Sequence, residues 1–389
     1  MKMELLQGID SFDFQTLKGR KIALIANHTS VDKNGVSTVE KCIHAGADVA
    51  AIFSLEHGYF PVAQDMECVG KENRIKKIPV FSLYGDDSSS LSPDPNLFQL
   101  FDTVIYDIQD IGSRYYTYLA SLAMFMDKLN QVPRELIILD RINPIGGEIE
   151  GSLLDDKKFK SFVGYFPLCH RHGLTSAEAA LYYYKLKNYS FPVTVSKLIG
   201  WKRDSFFDDY DYPWMPTSPN MPCIDTAILY PGACLLEGTE LSEGRGTTFP
   251  FHVAGAPGID PFKLKSELDS QGIPGLIFTP LEFRPMFQKH SMKRCGGVYI
   301  SLMDRKKVKP LRSFLKIIQV LRRMSGEENF FRVKPYEFIK NIPAIDLLLG
   351  DKILIGLFRN FASFSEIDDY LNECEQSAAN YFDQYRIYP

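Results

Sequence analysis

Five short apolar runs, each closed by a polar cluster, constrain this chain more than any other feature. They are Lys21–Ala26, Val49–Leu55, Val80–Leu83, Thr103–Ile108 and Glu135–Leu139. Their length, their bounding turn residues and their share of β-branched side chains mark strands buried on both faces. Helical periodicity over Val36–Ala45 follows the first run, and over Tyr115–Leu129 follows the fourth. Such alternation predicts an α/β fold, a Rossmann-like doubly wound, mostly parallel sheet.

The runs end in Asn27-His28-Thr29-Ser30, Glu56-His57-Gly58, Tyr84-Gly85, Gln109–Arg114 and Asp140–Pro144. Open α/β sheets bind ligands outside the carboxyl ends of their strands, so these clusters are expected along one crevice. No GxGxxG follows the first strand and no GxxxxGK[ST] occurs, so neither a dinucleotide nor a nucleoside triphosphate is the expected ligand.

From Trp201 the texture changes. Phe206, Phe207, Tyr210, Tyr212, Trp214, Pro216, Pro219 and Pro222 crowd a segment too irregular for a long helix and too apolar for a linker. It reads as a structured connection over the crevice, its aromatic rings serving as core or as platforms for sugar faces. Later stretches, Gly275–Phe283 and Gly297–Met303 as strands, Leu311–Met324 and Ser365–Tyr381 as amphipathic helices, lack βα alternation. We expect an N-terminal catalytic domain over 1–226 and a smaller α+β domain over 227–389, with a cleft between them.

A formal charge of −4 without a basic run argues against nucleic acid as a partner. No apolar stretch approaches the roughly 20 residues that span a bilayer. The N-terminal residues lack a basic start and a long apolar run, which predicts a cytoplasmic protein. Seven scattered cysteines without a CxxC pair fit reduced thiols. His170 and His172 alone have a spacing useful for a metal, and no third ligand stands near them in sequence, so no metal or cofactor is expected. No GxSxG elbow occurs.

Glu56 leads the candidates for chemistry. It follows a strand, precedes a glycine by two positions, and stands among Phe53, Leu55, Tyr59 and Phe60. Apolar surroundings raise a carboxyl pKa, which a general acid needs near neutrality. A Glu capping the following turn is the plainer alternative. His57 is expected to tune Glu56, to bind substrate or to serve as a structural residue.

At these residues the chain resembles a known family. Ser54–Gly58, Tyr106–Tyr118, Leu139–Pro144, Ser218–Pro222, Tyr230–Gly232 and Leu236–Thr248 are similar, in this order, to signatures of the exo-β-N-acetylmuramidases, NamZ-like glycoside hydrolases formerly known as a domain of unknown function. The resemblance runs from about Gly8 to Tyr388. It implies an exo-acting glycosidase that releases terminal β-1,4-linked N-acetylmuramic acid from the non-reducing end of peptidoglycan fragments, a carbohydrate being the expected partner. It also implies that the Glu of the EHG motif, here Glu56, is catalytic. One loop departs from the family pattern: Asn27-His28-Thr29-Ser30 replaces Asn-Pro-Thr-Gly.

Glycoside hydrolysis normally uses two carboxylates, roughly 5 Å apart for retention and about 6.5–9.5 Å for inversion. Asp107, Asp110, Asp140, Glu237 and Glu243 are open as the second, as is the substrate's own acetamido group. Asp107 and Asp140 are equally suited to holding Arg114 or Arg141. The lactyl carboxylate of N-acetylmuramic acid matches a guanidinium fork, which Arg114, Arg141 or Arg245 can offer. The catalytic candidates are therefore Glu56, His57 and Asp107, and the substrate contacts Asn27, Arg114, Tyr116, Arg141, Asn143, Asn220, Glu237 and Arg245. A sugar-binding protein without turnover is the alternative on the same scaffold.

Overall fold

The computed structural model describes residues 2–64, 66–67, 74–326 and 330–389. Its larger sheet has seven strands: β1 (Lys21–Ala26), β2 (Asp48–Ser54), β3 (Arg74–Ile75), β4 (Ile78–Ser82), β5 (Thr103–Asp107), β6 (Glu135–Leu139) and β7 (Val193–Ser196). They lie in the order β3-β4-β2-β1-β5-β6-β7, all pairs parallel except β3 with β4. Strand order reverses between β1 and β5, which makes that junction the topological switch point.

Alternate residues of each strand serve opposite faces. Ile22, Leu24 and Ala26 pack with Val39 and Cys42 of the Thr38–His44 helix. Ala23 and Ile25 belong to the other face, with Leu122, Phe125 and Met126 of the Tyr118–Leu129 helix. The first of these helices starts at Thr38 rather than Val36, because Ser37 and Glu40 close a capping box there. β7 went unread: four residues, partly exposed at the sheet edge, give no buried apolar run.

A second sheet, β8 (Val253–Ala256), β9 (Leu276–Phe283) and β10 (Cys295–Leu302), is antiparallel in the order β8-β10-β9. Helix Pro261–Asp269 packs on it and, in turn, against helix Pro310–Ser325. The two sheets share one core, a continuous cluster joining Ile25 and Tyr115 to Leu229, Phe314 and Leu348.

The aromatic segment beginning at Trp201 is core. Trp201, Phe206, Phe207, Tyr210 and Tyr212 are buried and Trp214 half-buried. Phe207 and Tyr212, with Gln7, Thr29, Gln109 and Arg141, leave ≈ 10 Å³ of free space beside the switch point. The usual ligand crevice of this architecture is thus plugged from within the chain.

Candidate active site

The strand-end clusters divide into two groups. Glu56, one residue past Leu55 at the end of β2, lies 5% exposed in a cavity lined also by His57, Tyr115, Tyr116, Thr117, Val163, Ser218, Asn220, Tyr230, Glu237, Arg245, Phe251, Tyr336 and Glu337. Both halves of the chain contribute to it. The free interior is ≈ 30 Å³, room for water but not for a sugar ring. Three carboxylates face this space, from Glu56, Glu237 and Glu337.

Local backbone explains how Glu56 gets there. His57 carries φ 71°, in the left-handed region that costs a non-glycine residue about 1 kcal/mol or more, a strain that persists where surrounding contacts enforce it. Its ring Nδ1 donates to the Ala63 carbonyl at 2.9 Å, which fixes the turn. Thr117 donates its hydroxyl to Glu56 Oε2 at 2.5 Å. The Tyr116 hydroxyl donates to Thr217 Oγ1 at 2.7 Å, and Asn220 Nδ2 to Gln64 Oε1 at 2.9 Å.

On the opposite wall Arg245 donates from Nη1 to Glu237 Oε1 at 2.6 Å and to Glu243 Oε1 at 3.3 Å. Its guanidinium lies 4.8 Å from the centre of the Phe251 ring. Tyr336 donates to the other Glu237 oxygen at 2.6 Å. Lys289 pairs with Glu243 Oε2 at 2.6 Å. Burial pushes the Glu243 carboxyl up, but Lys289 and Arg245 outweigh it and hold it below the usual carboxylate range.

The other candidates do not line this cavity, and each is absorbed by packing. Asp107 forms a buried ion pair with Arg141, Nε to Oδ1 at 2.6 Å, and also accepts from Thr38 Oγ1. Arg141 Nη1 donates to the Val31 carbonyl at 3.0 Å. Burial disfavours the Arg141 charge, yet Asp107 more than compensates and raises its pKa. Arg114 donates to the carbonyls of Leu168 (3.3 Å) and Leu348, the latter in the last turn of the Ala344–Leu349 helix, where a cation is favourable. Asn143 Nδ2 donates to the Leu174 carbonyl at 3.0 Å. A Cβ on Gly112 would stand 2.3 Å from Asn143 Oδ1, so the strand-end loops close on one another only because that residue is glycine. Asn27 accepts from Thr29 N and Oγ1 and donates to the Tyr118 hydroxyl at 3.3 Å. Asp140 accepts from Arg141 N, Ala177 N, Thr175 and Tyr388, while burial pushes its pKa up to about 7. Asp110 caps its own turn by accepting from Gly112 N.

Several lining residues went unread. Tyr115, Thr117, Ser218 and Tyr230 fall inside motifs noted in the sequence, whereas Val163, Phe251, Tyr336 and Glu337 fall outside every one. A wider groove of ≈ 440 Å³, lined by Met66, Glu240, Gln288, Lys289, His290, Arg332 and Lys334, flanks the segment that carries Glu237, since Arg332 N donates to the Gly238 carbonyl at 3.0 Å. Glu240 is its one described carboxylate. Acid-base chemistry on a glycosidic bond therefore points to the smaller cavity.

Comparison with known proteins identifies the family. The model of the N-terminal part of the exo-β-N-acetylmuramidase NamZ matches residues 22–225, and that of the C-terminal part matches residues 228–388. The peptidoglycan β-N-acetylmuramidase NamZ of Bacillus subtilis (strain 168) is 34% identical over 394 residues, covering 100% of this chain and 92% of that protein. Two crystal structures of DUF1343 family proteins from Bacteroides fragilis NCTC 9343 superpose over the whole chain. One has a TM-score of 0.87 at 28% identity and covers 100% of both chains. The other has a TM-score of 0.78 at 27% identity and covers 99% of both. With both models matched in sequence order and nearly end to end, this chain belongs to the NamZ exo-β-N-acetylmuramidase family.

Proposed function

We propose that this chain removes terminal N-acetylmuramic acid from the non-reducing end of peptidoglycan fragments by hydrolysing its β-1,4 link, with Glu56 as general acid. The observation that carries this reading is the position of Glu56. A carboxyl group 5% exposed, at the carboxyl end of a parallel strand, shares a cavity with two further carboxylates and an arginine. In the step proposed, Glu56 gives its proton to the glycosidic oxygen as the bond to the anomeric carbon breaks, and a water molecule supplies the new hydroxyl. Thr117, bonded to one Glu56 oxygen, orients the carboxyl so that the other oxygen meets the leaving group.

Arg245 is the candidate reader of the lactyl carboxylate. Glu237 and Glu243 already accept its Nη1, so the substrate gains this guanidinium by exchange with a resident carboxylate. Selectivity then comes from the charge-assisted hydrogen bonds of the lactyl carboxylate to the guanidinium, which a sugar without that group cannot make. Admission of a sugar also requires the cavity to widen beyond its ≈ 30 Å³.

The test is turnover of chromogenic β-N-acetylmuraminide and β-N-acetylglucosaminide by the native protein and by Glu56→Gln. Expected are preference for the muraminide over the glucosaminide and, on a muramyl disaccharide whose leaving group needs the proton, a fall in kcat of about 10²–10⁴-fold in the variant at unchanged melting temperature. Near-native turnover of the disaccharide by Glu56→Gln would remove that residue from the mechanism, and equal rates on the two chromogenic sugars would remove the lactyl argument.

A further inference from the structure

We propose that Glu337 is the second working carboxylate of this cavity, delivered from the C-terminal half to stabilise positive charge at the anomeric carbon while Glu56 protonates the leaving oxygen. The inference rests on the reading of the cavity as the active site.

Glu337 is 3% exposed and lines the same space as Glu56. It reaches that space through an unusual turn. Tyr336 N donates to the Ile339 carbonyl at 3.0 Å, and Ile339 N to the Tyr336 carbonyl at 2.9 Å, closing a two-residue hairpin. Its central residues, Glu337 and Phe338, have φ 45° and 67°. Hairpins of this form prefer left-handed φ at both centres and normally fill them with Asn-Gly or Asp-Gly. Here a glutamate and a phenylalanine take those places. Neither relieves the backbone, so each must serve through its side chain.

Both side chains have evident employment. Phe338 packs edge-on to the Tyr84 ring, centroids 5.7 Å apart, and the Tyr84 hydroxyl donates to Glu337 Oε2 at 3.3 Å. Tyr84 stands two residues beyond β4, so the turn is docked on the carboxyl end of the large sheet, the edge that carries Glu56. Glu237, the third carboxylate, has one oxygen on Arg245 and the other on Tyr336. Its part is to hold the arginine. Glu337, brought to the cavity wall by this turn, meets the charge that develops as the glycosidic bond breaks, since a transition state of oxocarbenium character is stabilised by a fixed anion.

The experiment compares Glu337→Gln, Glu337→Asn and Glu56→Gln on two substrates, a nitrophenyl muraminide and a muramyl disaccharide with its poor leaving group. A general-acid variant recovers rate when the leaving group needs no proton, and a charge-stabilising variant does not. Expected for Glu337→Gln is a loss of about 100-fold in kcat on both substrates, against a loss confined largely to the disaccharide for Glu56→Gln. Asparagine adopts left-handed φ readily, so Glu337→Asn should be as inactive as Glu337→Gln while melting no lower than the native protein. The proposal is overturned if both Glu337 variants keep kcat within a few-fold of native, or if their activity falls only in step with a lower melting temperature. Unimpaired turnover of the disaccharide by Glu56→Gln would instead overturn the assignment of the acid and leave Glu337 to be judged on its own kcat.

Discussion

Glu56 and Asp107 show how differently two acids at strand ends can be spent. The strands β2 and β5 that carry them flank β1, and both residues are buried. Asp107 has Arg141 within 2.6 Å, whereas Glu56 meets a threonine hydroxyl in a cavity. Sequence presents both as polar residues after apolar runs, and only the partner separates a structural ion pair from a carboxyl that faces a cavity. Cys223 offers a sharper case at this scale. It precedes the Ile224–Ala233 helix, exposed, with its sulfur 3.3 Å from Thr226 Oγ1, which lies 3.1 Å from His252 Nε2. Hydrogen bonding to His252 brings its thiol pKa down to about 7. A lowered thiol pKa means that the thiolate gathers below the usual range, so alkylation of Cys223 by iodoacetamide should rise with a midpoint near pH 7. Cys374, whose pKa burial pushes up, should react only at higher pH. Mass spectrometry of the modified peptides across pH 6–9 checks this, and a Cys223 midpoint near 9 would contradict it. Cys68 lies outside the described residues.

Among the elements, what was legible followed burial. β1 and β6 occupy the very ranges expected, and β2, β4 and β5 differ only at their ends, because a strand hidden on both faces must be apolar throughout. Elements whose local signals conflict with their tertiary setting were missed. Ile224–Ala233 is helical through Pro231, a residue that argues against a helix interior, and the Tyr336–Ile339 turn lacks every turn-former. Gly232 shows what holds that helix in place. A Cβ there would stand 2.0 Å from the Pro310 carbonyl oxygen and 2.8 Å from the Phe314 ring, so this helix and Pro310–Ser325 touch backbone to backbone. Gly232→Ala should cost about 1–3 kcal/mol. The denaturant midpoint measures it, and a neutral outcome would mean that the two helices can part freely.

At the scale of the molecule, the switch-point crevice is plugged by Phe207 and Tyr212, and the candidate cavity lies where β2 and the loop after β5 meet the C-terminal half. Neither half holds the site alone, since Glu56 and Thr117 come from one and Glu237, Arg245 and Glu337 from the other. Tertiary contacts lock the halves in both directions: Arg114 donates to the carbonyl of Leu348, and the Tyr388 hydroxyl donates to Asp140 Oδ2 at 2.6 Å. Strand ends pointed to the region of this candidate cavity, and pairings between residues distant in sequence, such as Thr117 with Glu56 and Tyr336 with Glu237, decided which side chains line it. The most direct measurement is a crystal structure of Glu56→Gln with an N-acetylmuramic acid-containing disaccharide. The account predicts the muramyl ring in the widened cavity, its glycosidic oxygen within hydrogen-bond reach of residue 56 and its lactyl carboxylate on Arg245. A sugar seated instead in the groove of Lys289 and Arg332, with residue 56 out of reach, would contradict it.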